Sequence, residues 1–342
     1  MCRINEDPEG GNLSSETYSI SCDRGDKNRI LSVLGGDARQ LAVSAFLVEA
    51  GYRVRIMGLG DAEDNGVPGS GYRLLGKGVR LCHDLRRTLE GCDGVVLPYP
   101  STKDGLTVPC PLDTQHTITL EAVGKYLSEH PSVPLFGGRL PAEWTASLRQ
   151  RGCSVTDYED DESFLIKNAR LTAEGAVMTA MELTDTALLN TRLAVVGYGR
   201  IGQLLAQLLT ALGGQVTVFA RRRESLALAE AQGCRAVHTE DVSRLCHGYR
   251  VIFNTVPARI ISKEILTVMP CDTLIIELAS APGGLDPDGA REATRRCGLQ
   301  IVRAPSLPGR YAPWDAGRAI ADCILSVEKA VRSDTGDKEV IP

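Results

Sequence analysis

The sequence is poor in lysine and in aromatic residues, and it contains no long apolar run. No stretch approaches the roughly 18 uninterrupted apolar residues of a membrane-spanning helix, so no such helix is expected. Residues 1–27 are polar and lack the apolar core of a signal peptide, which favours a cytoplasmic protein. The formal net charge is −5, without the basic excess that is typical of nucleic-acid binding.

Cysteine pairs at metal-binding spacing are also absent. The 11 cysteines include no C-x-x-C pair, and the five histidines do not fall at ligand spacing with them. This pattern favours free thiols in a reducing compartment over a disulfide framework or a zinc site. We therefore expect no metal site.

The length of 342 residues predicts two domains of ordinary size. With 43% hydrophobic and 24% charged residues, the composition is typical of a globular chain rather than a disordered one. We expect a flexible leader over 1–27, an N-terminal domain over 28–166 and a dinucleotide-binding domain with its connecting helix over 167–315. A C-terminal helix and tail are expected over 316–342. One possible arrangement is that this helix packs on the N-terminal domain.

Both domains begin with a strand–turn–helix–strand pattern. In the first, an apolar run over 29–34 precedes the turn Gly35-Gly36-Asp37, a helical pattern over 38–50 and a second run over 52–57. Asp37 is expected to cap that helix, and the alternative is that it forms a wall of the substrate cleft. Such units predict a two-domain α/β fold with doubly wound parallel sheets. The region 172–189 predicts a connecting helix, which Thr172 would begin.

A glycine-rich turn in the second domain carries the clearest chemistry. It joins a strand over 192–196 to a helix over 203–212, and its residues are Gly197, Tyr198, Gly199, Arg200, Ile201 and Gly202. In a G-x-G-x-x-G turn the glycines permit the tight bend, a close approach of the pyrophosphate and the packing of helix on strand. The free amides at the helix N-terminus then face the phosphate charge. The alternative is a glycine-rich turn without a ligand.

The end of the next strand indicates which dinucleotide binds. An NAD enzyme usually has an acidic residue there, whereas this chain continues Phe219-Ala220-Arg221-Arg222-Arg223. Guanidinium groups suit a 2′-phosphate, so Arg221 and Arg222 predict NADP as the cofactor. The alternative is an exposed basic cluster, which a chain with 30 arginines makes less unusual.

Six segments in order resemble the family of dipicolinate synthase A subunits. They are Gly35 to Gln40, Leu171 to Gly175, Val196 to Gly202, Asn254 to Pro257, Leu278 to Gly284 and Leu307 to Pro313. The chain departs from the family at Leu171, where a proline is usual, and at Trp314-Asp315, where Lys-Thr is usual. These departures put in doubt a substrate role for the last two positions.

The resemblance implies an N-terminal flavodoxin-like domain for substrate and dimer contacts, and a Rossmann domain like those of S-adenosylhomocysteine hydrolase and alanine dehydrogenase. It also implies an NADP-dependent oxidoreductase that converts a dihydrodipicolinate-type intermediate to dipicolinate in the mother cell of a sporulating bacterium. The expected partners are the flavoprotein-like B subunit of such a synthase, a cyclic dicarboxylate substrate and further copies of the chain, with neither nucleic acid nor membrane among them.

The substrate cleft is expected at the carboxyl ends of both sheets, between the domains. Near the cofactor we place Asn254, Thr255, Val256, Pro257 and Ala279, with Gly283 and Gly284 close by. For the substrate carboxylates we place Ser101, Thr102, Arg139, Asn168, Thr172 and Arg310. Only Glu174 and Lys103 are weak candidates for the base, because no histidine falls in the turns that reach the cleft.

Two other functions stay open at this point. The lack of an obvious base favours a nucleotide-binding regulatory or scaffold subunit without chemistry of its own. An NADP-dependent enzyme of the amino-acid dehydrogenase type would need a clear histidine or lysine in the cleft.

Overall fold

The computed structural model describes residues 29–60, 78–246 and 248–334, which form two α/β domains. The predicted leader and most of the predicted tail lie outside the described residues. No helix in the described part of the chain combines the length and apolar character that crossing a membrane requires.

The N-terminal domain contains eight strands and four helices among its described residues. In chain order they are β1 (Ile30–Leu34), α1 (Ala38–Glu49), β2 (Arg53–Met57), β3 (Val79–Leu81), α2 (Leu85–Leu89), β4 (Gly94–Val96), β5 (Thr107–Val108), β6 (Ile118–Thr119), α3 (Leu120–Glu129), β7 (Leu135–Gly137), α4 (Ala142–Gln150) and β8 (Val155–Asp157).

The second part of the chain begins with a long helix and continues with six strands. In chain order its elements are α5 (Glu162–Leu183), β9 (Arg192–Val196), α6 (Arg200–Ala211), β10 (Gln215–Ala220), α7 (Arg223–Ala231), β11 (Arg235–His238), β12 (Val251–Asn254), α8 (Lys263–Val268), β13 (Leu274–Glu277), α9 (Pro287–Cys297), β14 (Gln300–Arg303), α10 (Leu307–Tyr311) and α11 (Pro313–Asp334).

Each domain is built around a six-stranded parallel sheet. The second sheet has the order β11-β10-β9-β12-β13-β14, which is the 3-2-1-4-5-6 order of a Rossmann domain. The first has the order β3-β2-β1-β4-β7-β8, and without its short edge strand β3 it has the 2-1-3-4-5 order of flavodoxin. The predicted fold class is confirmed. The pair β5 and β6 forms a separate antiparallel hairpin.

The central strands are short apolar runs because helices cover both faces of each sheet. On β1, Leu31, Val33 and Leu34 are fully buried, as are Leu193 and Val195 on β9. The turn after β1 bends through Gly35 and Gly36, whose φ angles are +59° and +97°. Asp37 then caps α1 by accepting a hydrogen bond from the backbone nitrogen of Arg39 at 3.1 Å. The capping role predicted for Asp37 is confirmed.

Helix α5 links the domains, and it begins ten residues before the predicted start. Asp161 is its N-cap and accepts hydrogen bonds from the backbone nitrogens of Ser163 and Phe164. Glu162 adds a favourable acidic residue to the first turn. The prediction that Thr172 begins the helix is therefore wrong. Its hydroxyl donates to the carbonyl of Asn168 four residues earlier, a bond that lets threonine sit inside a helix.

Helix α11 returns to the N-terminal domain and packs on α1. Its Ile320 and Ile324 belong to the same buried cluster as Leu41. The guanidinium of Arg318 lies 4.0 Å from the centre of the Phe46 ring, and Glu328 forms an ion pair with Arg29 before β1. The chain thus crosses between the domains twice, through α5 and through the α10–α11 segment.

Cys271 and Cys297 form a disulfide, 26 residues apart in the sequence. The expectation of free thiols is wrong at this pair. One cysteine precedes β13 and the other ends α9, so only the tertiary packing of these elements brings them together.

Candidate functional site

The glycine turn after β9 has the shape that its sequence predicts. Gly197 has a φ of +97°, and a side chain there would overlap the hydroxyl of Thr255. A β-carbon on Gly202 would overlap the carbonyl oxygen of Gly197. At Gly199, by contrast, no atom lies within 4 Å of the position a β-carbon would take. Two of the glycines are needed by the turn itself, and the third leaves open space.

That open space lies at the N-terminus of α6. Gly199 is the N-cap residue of this helix, and no side chain forms a capping hydrogen bond there. Backbone N–H groups without partners at a helix start carry partial positive charge, which attracts anions. The residues therefore fit the pyrophosphate of a dinucleotide.

A cleft of 340 Å³ lies in front of the turn, between the two domains. Helix α5 contributes one side of it, the turn and the segment after β12 contribute another, and the loop after β4 closes it. The lining residues are Tyr99, Leu165, Asn168, Ala169, Gly197 to Gly202, Thr255, Val256 and Pro257. The structure thus brings together the predicted turn, three residues after β12 and Asn168.

Arg200 lines the cleft but already has a partner. Its guanidinium donates to both carboxylate oxygens of Glu162 at 2.7 and 2.6 Å, which ties α6 to the start of α5. The hydrogen bonds and charge of Arg200 hold the pKa of Glu162 below its usual value. Both side chains remain more than half exposed.

Arg221 and Arg222 follow β10 and are exposed. Within the described residues, no ion pair occupies either guanidinium. The carbonyl oxygen of Arg221 lies 2.9 Å from Nε2 of His238, which fixes the backbone at this point. The next acidic residue, Glu224, lies within the first turn of α7. The carboxyl end of β10 therefore carries positive charge and no carboxylate.

The segment after β12 divides into exposed and buried parts. Both the backbone nitrogen and the hydroxyl of Thr255 donate to the carbonyl oxygen of Val196 at 2.9 Å, which holds Thr255 against the glycine turn. Asn254 is fully buried, and its Nδ2 donates to Oε1 of Glu277 at 2.7 Å. The structure places Asn254 behind the cleft lining rather than in it.

Ala279 is half-buried and is not among the lining residues, and its backbone nitrogen donates to Oε1 of Glu277 at 3.1 Å. Gly284 donates to the other carboxylate oxygen at 3.0 Å. Sequence reasoning missed Glu277 entirely. The available signal is its place as the last residue of β13, directly beside Asn254 in the parallel register.

Tyr99 is a second residue that sequence reasoning did not select, although it follows β4 in a turn expected to reach the cleft. Its hydroxyl donates to Oε1 of Glu159 at 2.8 Å, and its ring packs edge-on against Phe164. Burial and the neighbouring Glu159 raise the pKa of the Tyr99 phenol well above its usual value. Tyr99 therefore enters the cleft as a neutral side chain.

The other residues of that loop have structural partners. Ser101 is fully buried, where its hydroxyl donates to the carbonyl of Pro98 and accepts from the backbone nitrogen of Gly138. Thr102 donates to Asp104 at 3.0 Å. Lys103 is exposed and outside the cleft lining. The structure does not bring these three residues to the cleft.

The remaining candidates are spread over several elements. Arg139 has a φ of +55° and its Nε lies 3.3 Å from Oε1 of Glu159. Arg310 is exposed on α10, with its guanidinium 5.0 Å from the centre of the Tyr311 ring. Neither belongs to the cleft lining.

Asn168, Thr172 and Glu174, which we expected near the substrate, all lie within α5. Asn168 faces the cleft, and Thr172 is buried one turn later. Glu174 is exposed and pairs with Arg170 at 2.9 Å, away from the cleft lining. Among the described residues, no group of three or more His, Cys, Asp and Glu side chains is placed to hold a metal ion.

Comparison with known proteins agrees with this arrangement. Residues 30–159 match the family model of the N-terminal domain of the dipicolinate synthase A subunit. Residues 165–282 match the model of the NAD-binding domain of D-isomer specific 2-hydroxyacid dehydrogenases. The second domain is thus a dinucleotide-binding domain of the dehydrogenase type, and the match supports an NAD(P)-dependent oxidoreductase.

Similarity to individual proteins extends over most of the chain. The A subunit of dipicolinate synthase from Bacillus subtilis (strain 168) is 28% identical over 307 residues, which cover 90% of this chain and 98% of that protein. The crystal structure of the dipicolinate synthase A subunit from Bacillus halodurans has a TM-score of 0.73 and 26% identity, covering 87% of this chain and 97% of that one. The resemblance inferred from the six segments is confirmed.

A more distant solved structure shares the fold alone. L-alanine dehydrogenase has a TM-score of 0.56 and 17% identity, covering 87% of this chain and 88% of that one.

Proposed function

Starting from this likeness to the A subunit of dipicolinate synthase, we propose that the chain is the NADP-binding oxidoreductase subunit of such a synthase. The observation that supports this most directly is the cleft in which the open glycine turn faces Tyr99 of the other domain. A nucleotide at the turn and a small ring beside Tyr99 would both fit between the domains.

The cofactor would lie along the carboxyl edge of the second sheet. The free amides at the start of α6 would hold its pyrophosphate, because Gly199 leaves room for a close approach. Arg221 and Arg222 would hold a 2′-phosphate, because both side chains are exposed and, among the described residues, neither is held by an ion pair. NADP, when bound, supplies the acceptor for a hydride.

The substrate would be a cyclic dihydrodicarboxylate of the dihydrodipicolinate type. Its oxidation removes one hydride and one proton, and the ring becomes aromatic, so the protein chiefly positions the reacting carbon. Tyr99 and Asn168 are the neutral polar side chains that would orient the ring from the N-terminal domain and α5. We infer that the proton passes to water, because the described residues that line the cleft include no carboxylate, histidine or lysine.

The remaining parts of the proposal rest on the likeness to the A subunit. They are a flavoprotein-like partner of the B-subunit type, a homo-oligomeric state, and a role in the mother cell during sporulation. We also propose that the N-terminal domain, residues 28–166, supplies the substrate and dimer contacts.

Titration of the purified chain with NADPH and NADH, followed by nicotinamide fluorescence, tests the cofactor. We expect at least a tenfold preference for NADPH, or about 1.4 kcal/mol, which an Arg221→Ala/Arg222→Ala variant loses. Arg295→Ala, an exposed arginine on α9, is the matched control and should keep the preference. Equal affinity for both nucleotides would exclude the 2′-phosphate site.

Turnover separates this proposal from a second candidate, a nucleotide-binding scaffold subunit, which the absence of a base in the cleft lining favours. Dipicolinate formation from a dihydrodipicolinate supply, NADP and the partner protein supports the oxidoreductase. NADPH binding without turnover in the complete mixture would instead support the scaffold.

A further inference from the structure

Glu277 is a buried carboxylate to which the proposed function gives no role. It is 4% exposed, ends β13 and lies beside Asn254 in the parallel register. Its Oε1 accepts hydrogen bonds from Asn254 Nδ2 at 2.7 Å and from the backbone nitrogen of Ala279 at 3.1 Å. Its Oε2 accepts from the backbone nitrogen of Gly284 at 3.0 Å. All three groups are donors, so the site requires a side chain with two acceptor atoms.

Asn254 connects Glu277 to the cleft through hydrogen bonds. Its Nδ2 also donates to the carbonyl oxygen of Val256 at 3.0 Å, and its Oδ1 accepts from the backbone nitrogen of Val256 at 3.3 Å. Both backbone polar groups of Val256 are thereby bound to one side chain. Val256 lines the cleft, and its side chain lies beside Gly197.

The surrounding backbone is shaped to admit this pair of side chains. A β-carbon on Gly284 would overlap Asn254 Nδ2, and one on Gly283 would lie 3.3 Å from Oε2 of Glu277. The loop between β13 and α9 therefore wraps closely around the carboxylate. A buried hydrogen-bond network of this kind gives rigidity when every member has a partner.

We propose that Glu277 is a positioning residue for dinucleotide binding, acting through Asn254 on the backbone of Val256. The inference rests on the proposed function for its ligand, but its structural part concerns the nucleotide-free chain. Because the backbone of Val256 is already held in place, nucleotide binding does not have to order this part of the cleft. Such preorganisation increases the affinity for the nucleotide.

Glu277→Gln tests the proposal at nearly constant side-chain volume. The substitution replaces one accepting oxygen by an amide N–H₂ group, which then faces other hydrogen-bond donors. We expect the dissociation constant for NADPH, measured by nicotinamide fluorescence, to rise at least tenfold. Hydrogen–deuterium exchange of residues 254–256 in the nucleotide-free protein should become at least tenfold faster. Ile275→Val, in the same strand and fully buried, is the control for lost stability. It should lower the melting temperature and leave both readouts within twofold of wild type.

A double variant tests whether Glu277 acts through Asn254. Asn254→Ala removes both side-chain hydrogen bonds to Val256, so Asn254→Ala/Glu277→Gln should bind NADPH within twofold of Asn254→Ala alone. A further loss of affinity in the double variant would show that Glu277 acts by another route and would overturn the proposal. NADPH affinity within twofold of wild type in Glu277→Gln, or unchanged exchange at 254–256, would overturn the proposal. If the wild-type chain binds no NADPH, the proposed function is wrong. Hydrogen–deuterium exchange in wild type and Glu277→Gln would still show whether Glu277 holds the backbone of Val256 in place.

Discussion

The carbonyl oxygen of Gly197 lies where a β-carbon of Gly202 would have to be. This contact presses the start of α6 against the end of β9, and it leaves the amides of the helix turned toward the cleft. Gly199, between the two, faces open space. Gly197 and Gly202 are thus required by the fold of the turn, whereas Gly199 leaves space for a ligand. Substitutions can distinguish these two roles.

Gly199→Ala should fold like the wild-type chain and bind NADPH at least tenfold more weakly. Its methyl group meets no protein atom, but it enters the space that a pyrophosphate would fill. The change of N-cap residue should cost less than about 1 kcal/mol of unfolding free energy. Gly202→Ala, the comparison variant, should lower the melting temperature because its methyl group meets the Gly197 carbonyl. Undiminished NADPH binding by Gly199→Ala would place the nucleotide elsewhere.

Glu162→Gln should strengthen NADPH binding, by about two- to fivefold at low ionic strength. The substitution removes a carboxylate next to the cleft and frees the Arg200 guanidinium, which then faces the phosphates. Salt should reduce the gain, because both groups are exposed. Fluorescence titrations at low and high salt measure the effect. Glu174→Gln, on the same helix but outside the cleft lining, should change nothing, and weaker binding by Glu162→Gln would contradict this view of Arg200.

The features predicted from the sequence are those that depend on neighbouring residues in the chain. The glycine turn, the cap at Asp37 and the arginines after β10 each follow from a few consecutive positions. The start of α5 was misplaced because Thr172 carries the same local signal as Asp161, and only the packing of the domains decides between them. The pairing of Glu277 with Asn254 depends on the register of two parallel strands, which no local pattern specifies.

Asp37→Asn should remove a pH-dependent part of the stability. Burial raises the pKa of Asp37, but two hydrogen bonds and the charge of Arg39 outweigh it, so the pKa lies below its usual value. A carboxyl group with a depressed pKa stabilises the fold above its unfolded pKa near 3.9, and loses that effect as the pH falls through the folded value. Urea unfolding from pH 7 downward should show wild type about 1 kcal/mol more stable than the variant at pH 7, with the difference shrinking as the pH falls below about 3.9. A difference that does not change with pH would show that the loss does not come from the charge of Asp37, because asparagine can still cap the helix.

Gln40→Met should stabilise the chain. The Gln40 side chain is 1% exposed, and within the described residues neither its Nε2 nor its Oε1 has a hydrogen-bond partner. A buried polar group without a partner costs about 1–3 kcal/mol, and methionine has a similar volume without that cost. Urea unfolding should therefore show a higher unfolding free energy for Gln40→Met.

Ser44→Ala, one turn further along α1, is the comparison variant, and its unfolding free energy should change in the opposite direction. The buried Ser44 hydroxyl donates to the Gln40 carbonyl at 2.8 Å, so its removal loses a bond and should lower the stability. Should Gln40→Met prove less stable than wild type, the amide must have a partner such as an ordered water. The pair of variants therefore distinguishes a true packing cost from a hydrated polar site at the start of α1.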